Sequence, residues 1–136
     1  MKNNLLRMTI GVALAAAAAS AQSSIPLKAD VPFDFVIANQ TLPAGHYTVA
    51  EGPASGTVMI RSTEGSGSVF AMSNRIYVSS GRRECRLVFH RYGNNYFLSE
   101  VWGADNDGHQ LPPSSEERKL AAGITPSTNT ILASLR

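Results

Sequence analysis

The sequence predicts an all-β fold, an antiparallel sandwich or partly open barrel of about six to eight strands with one short C-terminal helix. Short runs of Val, Ile, Phe and Tyr alternate with polar residues, and Gly, Pro and Asn separate these runs. Two such runs make up residues 86–102 and flank a Gly-Asn-Asn sequence, which indicates a β-hairpin. A capping box, Ser114 with Glu117, is typical of a helix start.

The N-terminal residues have the features of a secretory signal peptide. Lys2 and Arg7 precede an apolar run at residues 8–19, and small residues end it. The run is too short for a membrane-spanning helix, and its sequence favours cleavage after Ala21. We therefore expect residues 1–21 to be removed and the chain to be exported to the periplasm or the extracellular space, with no transmembrane segment left after cleavage.

The chain without this leader is electrically neutral and has the length of one domain. Cleavage removes two of the twelve basic residues and leaves ten against ten acidic ones. This balance gives no reason to expect nucleic acid as a partner. Cys85 is the only cysteine, so no disulfide can form within the chain. We predict one β domain over residues 22–122 and a flexible tail over residues 123–136, in which residues 130–132 could instead pair as an edge strand.

The first predicted hairpin follows a loose lead-in at residues 22–29. A strand at residues 31–37 is joined to one that begins at His46 by a turn at residues 42–45, where Pro and Gly suit a three-residue connection. Pairing of Leu42 with His46 places one apolar set on a common buried face: Phe33, Phe35, Ile37, Tyr47 and Val49.

The next strands are predicted at residues 57–61 and 68–72, with a Gly-rich turn between them. Residues 76–78 either extend the second of these strands after a bulge or form a short strand of their own. The helix is expected from about residue 115 to about residue 122, because Ser114 can cap it while Glu117 reaches back.

The hairpin at residues 86–102 is expected at the centre of a sheet that is covered on both sides, because both of its faces are largely apolar. A three-residue loop would place Tyr92 opposite Tyr96. One face would then carry Leu87, Phe89, Phe97 and Val101. The other would carry Val88, His90, Tyr92, Tyr96, Leu98, Glu100 and Trp102.

The candidate ligand-binding residues lie on this hairpin and mix aromatic rings with charged groups: His90, Arg91, Tyr92, Tyr96, Glu100 and Trp102. With Arg82, Arg83 and Arg86 nearby, such rings could stack on a sugar while the guanidinium groups contact anions. The alternative is a set of solubilising charges beside core aromatic residues.

No metal site, cofactor or complete catalytic set is predicted. His46, His90 and His109 are not spaced like zinc ligands, and the two histidines that follow turns are expected to be exposed. A calcium loop with Gly108 at its sixth place would have Gly103 first and Ser114 twelfth, and so would lack both carboxylates. This indicates a tight turn at residues 103–108, with an irregular calcium site as the alternative. A nucleophile elbow and a phosphate-binding loop are both absent from the sequence.

Three motifs in the chain carry a resemblance: PFDF at residues 32–35, LPAGxYxV at residues 42–49 and VFHRYGxxYFLSxVW at residues 88–102. Together they resemble a group of uncharacterised small secreted β-domain proteins of soil bacteria. The likeness spans most of the chain after the leader. It implies a secreted, mainly β domain and transfers no activity, cofactor or catalytic residue.

These observations favour a secreted, non-catalytic binding or envelope-associated module whose partner could be a glycan or another envelope component. On this hypothesis, Trp102→Ala or Arg91→Ala weakens binding. One alternative is a small β-barrel that carries an apolar ligand. The other is a hydrolase in which Glu100 acts with His90.

Overall fold

The computed structural model describes residues 26–65, 67–79, 84–104 and 106–135. Within these ranges, twelve strands form two sheets and one helix follows the tenth strand. The sheets are antiparallel or mixed and do not close into a barrel, so the prediction of an all-β sandwich with one short helix is confirmed. The predicted signal peptide, Arg82 and Arg83 lie outside the described residues.

Thirteen elements follow one another along the described part of the chain. They are β1 Leu27–Val31, β2 Phe35–Ile37, β3 Gln40–Leu42, β4 Gly45–Glu51, β5 Thr57–Ser62, β6 Ser68–Met72, β7 Asn74–Tyr77, β8 Arg86–Tyr92, β9 Asn95–Trp102, β10 Asp107–Gln110, α1 Ser115–Ala121, β11 Ser127–Leu132 and β12 Ser134–Leu135. The first sheet has the order β12-β1-β4-β5-β6. The second has the order β11-β8-β9-β10-β7, and β2 joins it alongside β9 while β3 pairs with β2.

The first hairpin differs from the prediction. The lead-in contains β1, which pairs with β4, whereas β2 pairs with β3 and lies parallel to β9 in the other sheet. The pairing of Leu42 with His46 is therefore wrong. A two-residue turn joins β2 to β3, and Ala38 and Asn39 have φ values of 50° and 60°. A turn with two residues of positive φ matches the twist of a hairpin. Because alanine rarely adopts positive φ, the sequence does not predict this turn.

The core lies between the sheets and contains the expected aromatic residues. The Phe35 ring of the second sheet meets the Tyr47 ring of the first edge-on, with centroids 5.2 Å apart. It also meets Phe89 on β8 at 5.5 Å. All three side chains are buried. Phe35 and Tyr47 were predicted to share one face of a hairpin. They are buried together instead because they face each other from the two sheets.

The central position of the hairpin β8–β9 is confirmed, but its register differs from the prediction. Tyr92 pairs with Asn95, not Tyr96, because the loop has two residues. Farther along, Phe89 pairs with Leu98 and Val88 with Glu100, which leaves one extra residue, Ser99, on β9. This bulge puts Leu98 on the core face. Phe97, which was predicted there, lies opposite His90 on the other face.

The remaining elements settle two alternatives. Residues 74–77 form a separate strand, β7, in the second sheet. The tail predicted at residues 123–136 is not irregular over its described length, because β11 pairs with β8 and β12 with β1. The edge-strand alternative at residues 130–132 is thus the one observed, and it begins at Ser127. The domain accordingly extends past the predicted boundary at residue 122.

Candidate functional site

The predicted binding residues are divided between the two faces of the hairpin. Paired residues on neighbouring strands point to the same face of the sheet, and faces alternate along a strand. The pair of Arg91 with Tyr96 therefore lies on the core side, as does the pair of Phe89 with Leu98. The other four candidates lie on the outer face of the second sheet: His90, Tyr92, Glu100 and Trp102. The structure therefore brings these six residues into one hairpin but not into one surface.

Trp102 is a packed residue with only 5% of its surface exposed. Its ring lies against the backbone of Gly108, where an added Cβ would be 2.6 Å from Cε3. The indole Nε1 donates to Glu100 Oε2 over 2.7 Å, and the Arg86 guanidinium lies 4.9 Å from the ring centroid. The indole is thus held from several sides and does not offer an open stacking platform.

Arg91 and Tyr96 lie near the tip of the hairpin. The Arg91 guanidinium is 5.4 Å from the Tyr96 ring centroid, and its Nε donates to the Gly93 carbonyl over 2.7 Å. Tyr96 stacks in turn on Phe33, with centroids 3.7 Å apart. Arg91 is the exposed residue among the six candidates, whereas Tyr96 is half-buried, as are His90 and Glu100.

A buried carboxylate that sequence reasoning did not assign to a site lies beneath α1. Glu117 is the one buried side chain among the seven described residues of this helix. Its Oε1 accepts from His90 Nδ1 over 2.8 Å and from the Tyr92 hydroxyl over 3.3 Å. Burial raises the pKa of Tyr92, and the charge of Glu117 and its hydrogen bond raise that pKa further.

The capping interpretation of this helix is half right. The Ser114 hydroxyl accepts from the Glu117 backbone N–H over 3.1 Å, as predicted. The Glu117 side chain does not reach back and instead contacts the sheet. His90 consequently has Glu117 as its partner, while Glu100 accepts from Trp102. The geometry thus gives no support to the predicted catalytic pair of His90 and Glu100.

A second polar network joins the two sheets. His109 on β10 contacts the Ser73 hydroxyl through Nδ1 at 3.0 Å and Glu51 Oε1 through Nε2 at 3.1 Å. The Arg75 guanidinium forms an ion pair with the same Glu51 oxygen at 2.7 Å and a second ion pair with Asp107 Oδ2 at 3.1 Å. The His109 side chain is 13% exposed, so the prediction that it lies in solvent is wrong.

The contacts link the Ser73 hydroxyl to His109 and His109 to Glu51, as in the triad of a hydrolase. The surroundings of Ser73, however, do not suit catalysis. The backbone N–H of Ser73 donates to the Gly56 carbonyl over 2.8 Å and so cannot stabilise an oxyanion. Ser73 is itself buried, and its hydroxyl also lies 3.4 Å from that carbonyl. We interpret the network as a polar junction that fixes the corner between β6 and β7.

His46 lies in solvent on the first sheet between two carboxylates. Its Nδ1 is in close contact with Asp30, and its Nε2 lies 3.8 Å from Glu64. The hydrogen bond and the charge of Asp30 raise the pKa of His46 above its ordinary value of 6.5. The resulting stabilisation is complete below pH 6.5 and is lost as the pH rises through the folded-state pKa.

We therefore expect an NMR titration of the His46 ring to have its midpoint above 6.5. Asp30→Asn should lower that midpoint towards the ordinary value, since it removes the main cause of the shift. Glu64→Gln is the matched control and should have a smaller effect, because that contact is longer. A midpoint that Asp30→Asn leaves unchanged would refute this assignment.

The largest open apolar side chains of the first sheet lie on β6. Phe70 and Met72 are 51% and 78% exposed, while Val69 and Ala71, which alternate with them along the strand, are buried. Met59 lies directly across from Phe70 on β5. The alternation of residues 68–72 predicts a strand but does not by itself predict a binding surface.

Among the described residues, no three His, Cys, Asp or Glu side chains are grouped so as to hold a metal ion. Across the same ranges, no helix has the length and apolar character needed to cross a membrane.

Comparison with known proteins adds no assignment to this geometry. The resemblance described above rests on the quoted motifs alone and stays a prediction. No protein-family model, curated protein or solved structure matches the chain.

Proposed function

We propose that the chain is an exported, non-catalytic binding module that contacts a partner through β6, the strand that ends the described order of the first sheet. The observation that carries the proposal is the exposure of Phe70 and Met72 on this edge strand. Neighbouring apolar side chains in solvent are typical of interaction surfaces, because leaving them in water is unfavourable.

The edge also has the backbone chemistry to receive an extended partner. β6 pairs with β5 on one side and ends the described order of the first sheet on the other. Residues 68–72 contain no charged side chain and no proline, the usual features that block pairing at an edge. A partner strand could therefore form main-chain hydrogen bonds with β6, while Phe70 and Met72 select its side chains.

Support for export comes from the sequence. The basic residues, the short apolar run and the small residues before position 22 have the order of a signal peptide. Cys85, the only cysteine, is buried in the core. The fold therefore needs no disulfide and is suited to either redox state of its surroundings.

The other functional hypotheses have less support. Tyr92 and Trp102 are buried and His90, Tyr96 and Glu100 are half-buried, so of the predicted hairpin residues Arg91 is best placed for contact with a glycan or another envelope component. The barrel hypothesis needs a closed wall, and the sheets are not closed.

A peptide-display selection on the processed protein tests the proposal, with a glycan array as a parallel arm. We expect extended peptides with alternating apolar residues to be enriched. Phe70→Ser and Met72→Ser should each weaken their binding about tenfold, the loss typical of a central apolar contact. Leu132→Ser, at an exposed leucine on β11 at an edge of the second sheet, is the matched control and should bind normally. Binding only to glycans, or equal binding by all variants, would contradict the proposal.

A further inference from the structure

The edge strand β11 is attached to the second sheet mainly through its backbone. It pairs with β8 at six positions, from Ser127 opposite Arg91 to Leu132 opposite Arg86. None of its six residues, all of them described, is buried, and Leu132 is 66% exposed. Ile131 alone packs partly against the core. The strand thus contributes main-chain hydrogen bonds but little apolar burial.

The segment that follows β11 is also weakly anchored. The two residues of β12 are exposed and form two pairs with β1, and the Ala133 N–H donates to the Cys85 carbonyl over 2.9 Å. On the other side, α1 contributes Glu117 as its buried side chain. Gly123 and Pro126 lie in the connection between α1 and β11, which is exposed at Gly123. This connection can act as a hinge about which the two strands leave together.

We propose that the β8 edge is a strand-accepting site, which the chain's own β11 fills within one molecule and the β11 of a second copy fills between molecules. A second copy is the partner that the structure supports, because its β11 would form the same six pairs with β8. Neither β11 nor β12 contains a charged residue, so exchange brings no like charges together. This site lies on a different edge from β6 and does not depend on the function proposed for β6.

The equilibrium between the two arrangements depends on concentration. The monomer and the strand-exchanged dimer contain the same contacts between β11 and β8. Their free energies therefore differ only through the effective concentration of the tethered strand and the conformation of the hinge. The tethered strand has an effective concentration in the millimolar range, which favours the monomer in dilute solution. Exchange should therefore become detectable as the protein concentration rises.

Disulfide trapping between full-length chains tests this proposal. Every variant carries Cys85→Ala, and one chain carries Arg91→Cys while the other carries Ser127→Cys, at two exposed positions that face each other in the β8–β11 pair. The two chains are mixed at high concentration in a glutathione buffer, and the mixed disulfide is measured by intact mass. Thr48→Cys on the first sheet replaces Arg91→Cys in the control mixture and reports random collision.

We expect the 91–127 disulfide to form about tenfold faster than the control, because strand exchange holds the two thiols together at a high effective concentration. The pair Val88→Cys and Thr130→Cys repeats the test at a second register position. A chain with both Arg91→Cys and Ser127→Cys, once closed on itself, should not cross-link until it is reduced. Yields equal to the control at both positions would overturn the proposal and leave β11 as a fixed edge strand.

Discussion

Phe35→Ala is expected to lower the free energy of unfolding by about 3–5 kcal/mol, the usual cost of truncating a buried phenylalanine. Phe35 is fully buried, and its ring contacts Tyr47 in one sheet and Phe89 in the other. Its removal leaves a cavity at the point where the sheets meet. Urea denaturation should show a lower midpoint with little change in slope, because the folded state remains equally compact.

Phe70→Ala is the matched control for this substitution. The same atoms are removed, but from a side chain that is half exposed on the outer face of the first sheet. Its effect on stability should stay within about 0.5 kcal/mol, as for other surface changes. Equal losses for Phe35→Ala and Phe70→Ala would show that Phe35 does not join the two sheets.

Glu117→Ala is expected to cost about 1–3 kcal/mol, because it leaves the Tyr92 hydroxyl without its acceptor in a buried environment. His90 loses the same carboxylate but is partly open to solvent, so the larger penalty falls on Tyr92. The pKa of Tyr92 should also fall towards its ordinary value of 10.0, since one cause of its rise is removed. Thermal unfolding measures the first effect, and an absorbance titration of the tyrosines measures the second.

Glu116→Ala provides the control in the same helical turn. Glu116 is exposed and acidic like its neighbour, so both substitutions remove one charge from the start of α1. Only Glu117→Ala should change the titration of Tyr92. If both variants lose similar stability and neither changes that titration, then the macrodipole of α1, and not the contact with the sheet, accounts for the effect.

The sequence pattern predicted the parts of the fold that long alternating runs specify. The runs around Phe35, Tyr47 and Phe89 were all identified as strands, and these side chains form the core. Pairing was less predictable, because alternation identifies the buried face of a strand without identifying its neighbour. The strands β3, β7, β10 and β12 have two to four residues, too few for a clear period, so the strand number was underestimated.

The candidate sites were harder to predict, for a physical reason. A single bulged residue, Ser99, reverses which side chains of β9 face the core, and nothing in its local sequence marks the position. Glu117 satisfies a familiar capping pattern, and that local interpretation concealed its contact with His90 and Tyr92. Both errors concern long-range contacts, which local propensity does not specify.

Hydroxyl-radical footprinting of the native chain, normalised to the unfolded chain, tests most directly the claim that the hairpin aromatics are interior and that β6 presents the open surface. We predict that Trp102 and Tyr92 are strongly protected, whereas Met72 and Phe70 are oxidised at nearly the rates of the unfolded chain. Oxidation of Trp102 at its unfolded rate, together with protection of Met72, would contradict this account.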